Sequence, residues 1–84
     1  MKDFLEIEVK DRQTFSEFAK LLLEDFEKNK ENWENKNLGD FLEALQRYSE
    51  DVDGYYKNVH PELDANVPTW RVFADILCGA TMYE

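Results

Sequence analysis

The sequence predicts an all-α protein, a small three-helix domain with a short extended N-terminal segment. Three observations support this. Apolar residues recur at helical intervals over residues 12–30, 38–58 and 69–83. Each of those stretches follows or opens on a residue able to cap a helix, namely Asp11, Asn37 and Thr69. The alternation typical of a strand occurs over residues 4–9 alone. At 84 residues, with 43% hydrophobic and 14% aromatic content, the chain is read as a single domain, 1–84, with one small core.

In the N-terminal segment Leu5, Ile7 and Val9 fall on one side and Glu6, Glu8 and Lys10 on the other. A lone strand has no ladder partner. The segment therefore pairs with residues 59–67, pairs with a second molecule, or lies extended with its aliphatics on the helices. The last is favoured because isolated strands are marginal.

Asp11 opens the first helix as a plain N-cap, or Thr14 opens it one turn later as the head of a Thr-Phe-Ser-Glu capping box using Glu17. Phe15, Phe18, Ala19, Leu22 and Phe26 then form an apolar stripe, with Lys20, Glu24 and Lys28 laddered outside it. Trp33 follows in a polar connection, and a large ring alone among charges reads as a plug over the end of a core.

Asn37 caps the second helix, whose apolar positions keep their period through Gly54. A glycine in a helix interior costs about 1 kcal/mol relative to alanine and can mark a terminus. Continuity to about Asn58 is nevertheless expected, because Val52, Tyr55, Tyr56 and Val59 share a face only in an unbroken helix. His60 before Pro61 disfavours helix, so residues 59–67 read as a crossover anchored by Leu63.

The third helix is apolar nearly all round, with Trp70, Phe73, Ala74 and Leu77 on one face and Val72, Ile76, Ala80 and Tyr83 on another. Other elements must then pack on two of its sides, which makes it the central rod. The expected core is Phe15, Phe18, Leu22 and Phe26 from the first helix, Phe41 and Leu45 from the second, and Trp70, Phe73 and Leu77 from the third.

Charge narrows the function. With 19 acidic and 10 basic side chains the net charge is -9, which argues against nucleic acid and anionic lipid as partners and leaves a basic protein. It also favours a monomer or weak homodimer. The single Cys78 excludes an internal disulfide and fits a buried, inert thiol in a reducing, cytoplasmic setting. Glu6 and Glu8 interrupt the only N-terminal apolar run, and no stretch has the apolar length of a membrane span.

Motifs for chemistry are thin. Asp51, Asp53 and Gly54 match three positions of a calcium loop, but Ser49 and His60 stand where its anchoring Asp and Glu belong, so no calcium site is expected. His60 lies far along the chain from Cys78 and is read as a solvated loop residue rather than a base for that thiol. No zinc spacing or phosphate-cradling loop occurs, and no catalytic residue, metal or cofactor is expected. What remains is a candidate interaction surface, Tyr55, Tyr56, Trp70, Arg71 and Asp75, in residue types enriched at interfaces. The plainer alternative makes the rings members of the core rim, with Arg71 paired to Asp75.

The strings W-E-N at 33–35, L-G-D-F-L-E-A-L at 38–45, D-x-D-G-Y-Y at 51–56 and P-T-W-R-V-F-A-D-I-L at 68–77, with Tyr83-Glu84 at the end, give the chain a recognisable pattern. It resembles a family of small bacterial proteins carrying a domain of unknown function, from about Phe15 onward. That resemblance implies no activity and no site residue. The expectation is a non-enzymatic protein-binding module. The alternatives are an immunity-type inhibitor of a basic toxin, by analogy of charge and size, and a small structural or oligomerising domain, while an enzyme is the least supported.

Overall fold

The computed structural model of the chain describes residues 7–83. Its elements are α1 (Arg12–Asn29), a 3₁₀ turn (Lys30–Asn32), α2 (Leu38–Val59) and α3 (Trp70–Ala80), with no strand among the described residues. Asp11 is the N-cap of α1. Its carboxylate accepts the Thr14 backbone N–H at 2.8 Å, while the Thr14 hydroxyl accepts the Asp11 backbone N–H at 3.0 Å. The capping box is thus Asp11 with Thr14, one turn earlier than a box headed by Thr14.

Asn37 caps α2 through the Asp40 N–H, and α2 runs unbroken through Gly54. Thr69 caps α3 by accepting the Val72 N–H at 3.1 Å. α3 stops at Ala80, short of the expected residue 83, because its last carbonyls are bound elsewhere. The Asn35 side-chain amide donates to the carbonyls of Ala80 and Tyr83, and the Thr81 hydroxyl donates to Cys78.

α3 packs against both α1 and α2, whereas α1 and α2 make little direct contact. Two buried clusters flank it. Val9, Phe18 and Ala74 form one, with Ile7 and Leu21 packed against them. Val52, Tyr56 and Val72 form the other, with Leu63 and Ile76. Ile7 and Val9 therefore lie on the helices, with Glu8 exposed between them, as an extended segment without a ladder. Leu5 and the rest of residues 4–6 lie outside the described residues.

The expected core requires correction. Of its nine members only Phe18 is fully buried, while Trp70 remains 37% exposed and Phe73 43%. Phe15, Leu22, Phe26, Phe41, Leu45 and Leu77 are half-buried. A helix apolar on every side needs neighbours on every side, and among the described residues α3 has helices on two. α1 takes its Ala74 face and α2 its Val72 and Ile76 face, which leaves the Trp70 and Phe73 side uncovered, with Leu77 half-buried at its edge against the Ala74 cluster.

Candidate functional site

The five candidate residues do not form one surface. Asp75 is the centre of a polar cluster, accepting Arg71 Nε at 2.9 Å and the Tyr56 hydroxyl at 2.5 Å. Tyr56 has no exposed surface, so it cannot be touched by a partner and instead holds Asp75 from inside. Its phenol is pushed well above the ordinary tyrosine value, first by burial and then by the bond to the Asp75 carboxylate. Tyr55, one residue earlier on α2, is exposed and sets its ring against those of Tyr56 and His60.

Trp70 belongs elsewhere. Its indole lies 5.4 Å from the Phe15 ring and 6.1 Å from the Phe73 ring, on the uncovered side of α3. A turn of 100° per residue puts Arg71 and Asp75 on a different strip of α3 from Phe73 and Leu77. Spacing anticipated the Arg71 and Asp75 pair, the packing of α2 adds Tyr56 to it, and Trp70 lies apart from all three.

The reactive groups are occupied or subdued. Burial pushes the Cys78 thiol up to about 11, with the nearby Asp75 and Asp25 charges acting in the same direction, so it stays protonated at neutral pH. His60 faces Glu62 at 3.4 Å and the Tyr55 ring. Asp51 and Asp53 lie on the continuous helix α2, where Asp53 pairs with Lys57 and Asp51 accepts the Tyr83 hydroxyl. Among the described residues, no group of three or more metal-ligating side chains converges.

Two open hollows lie along the uncovered side. One, of about 350 Å³, is bounded by Phe15 of α1, Leu45 of α2, and Trp70, Phe73 and Leu77 of α3. The other, of about 370 Å³, is bounded by Leu22 and Phe26 of α1, Leu38 and Phe41 of α2, and Trp33. Phe15, Ala19, Leu22 and Phe26 are one stripe of α1, and Leu38, Phe41 and Leu45 one stripe of α2, so the two hollows, which share no lining residue, follow one another along those helices and are together called the trough below. Its rim carries Leu23 at 56% exposure and Leu38 at 72%. Eight of the nine residues expected as core line this trough, all but Phe18. The signal was present in the sequence as a third helix apolar all round, but periodicity does not say which side lacks a neighbour.

The W-E-N string closes one end of the molecule. Trp33 is buried, as a plug, against the edge of the Phe26 ring at 4.9 Å and stacked on Phe41 at 6.3 Å. Its indole N–H donates at 2.7 Å to Asp25, a buried carboxylate of α1 that also accepts from the Asn29 side chain at 3.0 Å. Burial alone would raise the Asp25 carboxyl. The bonds from Trp33 and Asn29 are among the causes that hold it below its ordinary value instead. Nothing in the spacing identified Asp25 as the partner of the plug, because eight residues and a helix end separate them.

A family of unknown function, DUF7660, matches residues 11–84. No curated protein and no solved structure matches the chain.

Proposed function

The chain belongs to the DUF7660 family, and from that premise we propose that it is a non-enzymatic protein-binding module whose partner is a basic protein. The observation that supports this is the open apolar trough. Monomeric proteins seldom leave contiguous apolar surface of this kind uncovered unless something binds there. Trp70 and Phe73, the aromatic residues of its floor, are of the sort that anchor interfaces. The net charge of -9 adds long-range attraction for a basic surface. Tyr55 and Arg71 remain accessible on other faces and are secondary contact candidates. A reducing, cytoplasmic setting accords with the single protonated thiol.

Co-purification of the tagged chain from its native cells tests this. A basic protein recovered in stoichiometric amount at low salt and lost at high salt is the expected result. Turnover of a substrate by the purified chain alone would replace the proposal with the enzyme reading.

A further inference from the structure

We infer that the hollow walled by Leu22 and Phe26 of α1 and by Leu38 and Phe41 of α2 binds a small amphipathic acid, a medium-chain carboxylate whose head meets Lys36. This goes beyond the protein-binding reading and does not need it, because Trp70 and Phe73, the anchors named there, line the other hollow.

The hollow has the make-up of a small-molecule site. Its volume of about 370 Å³ falls in the range of about 300–1,000 Å³ typical of such sites, which pair an apolar lining with a few polar groups that fix orientation. Those polar groups are consecutive here. Asn35, Lys36 and Asn37 lead into α2, and the rest of the lining is apolar apart from the Trp33 N–H, which is spent on Asp25. A matching occupant is apolar over most of its length and polar at one end.

Lys36 sets the charge of that end. Asn35 spends its amide hydrogens on the carbonyls of Ala80 and Tyr83, and Asn37 exchanges hydrogen bonds with Asp40. Lys36 is exposed, and among the described residues no carboxylate pairs with it. As the single charged side chain of the lining, it calls for an anion.

The chain's excess of acid is directed elsewhere. At 100° per residue, Asp40 and Glu43 lie on the face of α2 opposite Leu38 and Leu45, and Glu17 and Glu24 lie on the face of α1 opposite Phe26. Glu27 and Glu34 adjoin lining residues in sequence without lining the hollow, and the Lys30 ammonium stands over the Phe26 ring at 5.5 Å. The net charge of -9 therefore opposes an anionic surface laid over the molecule more than it opposes one small anion seated at Lys36.

The wall sets the length. Ala19 to Phe26 spans about 10 Å at 1.5 Å per residue. An extended chain of about eight carbons, with staggered C–C bonds of about 1.5 Å, is of similar length.

The test uses octanoate, octylammonium, 1-octanol and butanoate on the purified chain, read by calorimetry and by the fluorescence of Trp33, which lines the hollow. Octanoate should bind one to one. Octylammonium, of the wrong charge, and butanoate, with less apolar surface to bury, should each bind at least tenfold more weakly. Lys36→Gln should weaken octanoate at least fivefold and leave 1-octanol within twofold, since the alcohol brings no charge. Leu23→Glu, at an exposed lining position, should weaken octanoate and 1-octanol alike, with unchanged helix content. Phe73→Glu, in the other hollow, should leave octanoate within twofold.

Octylammonium bound as well as octanoate, or octanoate indifferent to Lys36→Gln, would overturn the inference. So would butanoate bound as well as octanoate, which would mean an ion on Lys36 with no use for the hollow, and so would the lack of saturable octanoate binding at millimolar concentration. Loss of octanoate binding in Phe73→Glu would put the chain in the other hollow and overturn it too. Each of these results would leave the protein-binding reading standing, since that reading is decided by the co-purification.

Discussion

Asp25 and Trp33 form the most demanding contact in the molecule, because a carboxylate that is 7% exposed must have its charge met inside the protein. The Trp33 indole N–H at 2.7 Å and the Asn29 amide at 3.0 Å meet part of it. Since the folded pKa of Asp25 lies below its unfolded value, this residue binds fewer protons when the chain is folded. Its contribution to stability is therefore complete above the unfolded value, about 3.9, and is lost as pH falls through the depressed folded value. Asp25→Asn should be less stable than wild type at pH 7 by about 1–3 kcal/mol. It should also lose less stability than wild type between pH 5 and pH 2, as read from denaturant melts. A parallel acid dependence of the two proteins would show that folding leaves the proton affinity of Asp25 unchanged.

At the scale of elements, two glycines in two helices ask for opposite outcomes. Gly54 lies in the interior of α2, exposed and with open space where a Cβ would stand. Gly54→Ala should stabilise the protein by about 0.5–1 kcal/mol through helix propensity alone. Gly79 lies on α3 where a Cβ would come within 2.3 Å of the Tyr48 ring. Gly79→Ala must push that ring away and disturb its contact with Tyr83, 5.1 Å distant, at a cost of about 1–3 kcal/mol. Thermal melts that move both variants in the same direction would contradict this packing.

The extent of α1 and α2 was legible in the sequence for the same reason that Gly54 is tolerated. Nine apolar positions from Leu38 to Val59 keep one period, and capping residues mark the N-terminal ends. The end of α3 was not legible, because Asn35, from a distant loop, takes the carbonyl of its last residue, Ala80, and that of Tyr83 beyond it. The exposure of Phe73 was not legible either. Hydrophobic periodicity ranks faces within one helix, and α3 offers no polar face to rank against. Of the candidate interaction residues, spacing alone gave the Arg71 and Asp75 pair. That Tyr56 is buried beneath it, and that Trp70 turns away, depends on where α2 and α1 lie.

For the whole molecule, the trough and the charge act on different steps of one encounter. The apolar side chains of the trough act at contact distance and hold a bound partner, so they govern dissociation. The net charge of -9 acts over the screening length and governs approach. Raising salt from about 50 to 500 mM shortens that length from about 14 to 4 Å. Association with a basic partner should then slow by tenfold or more, while dissociation changes by less than about threefold. Charge reversal at the exposed acids Glu43 and Glu50 should slow association at low salt and leave dissociation nearly unchanged. Phe73→Ala, which shortens a floor residue without touching the charge, should do the reverse. Stopped-flow kinetics across the salt series separate the two. An association rate indifferent to salt would mean that the acidic surface only keeps the protein in solution, with the trough alone selecting the partner.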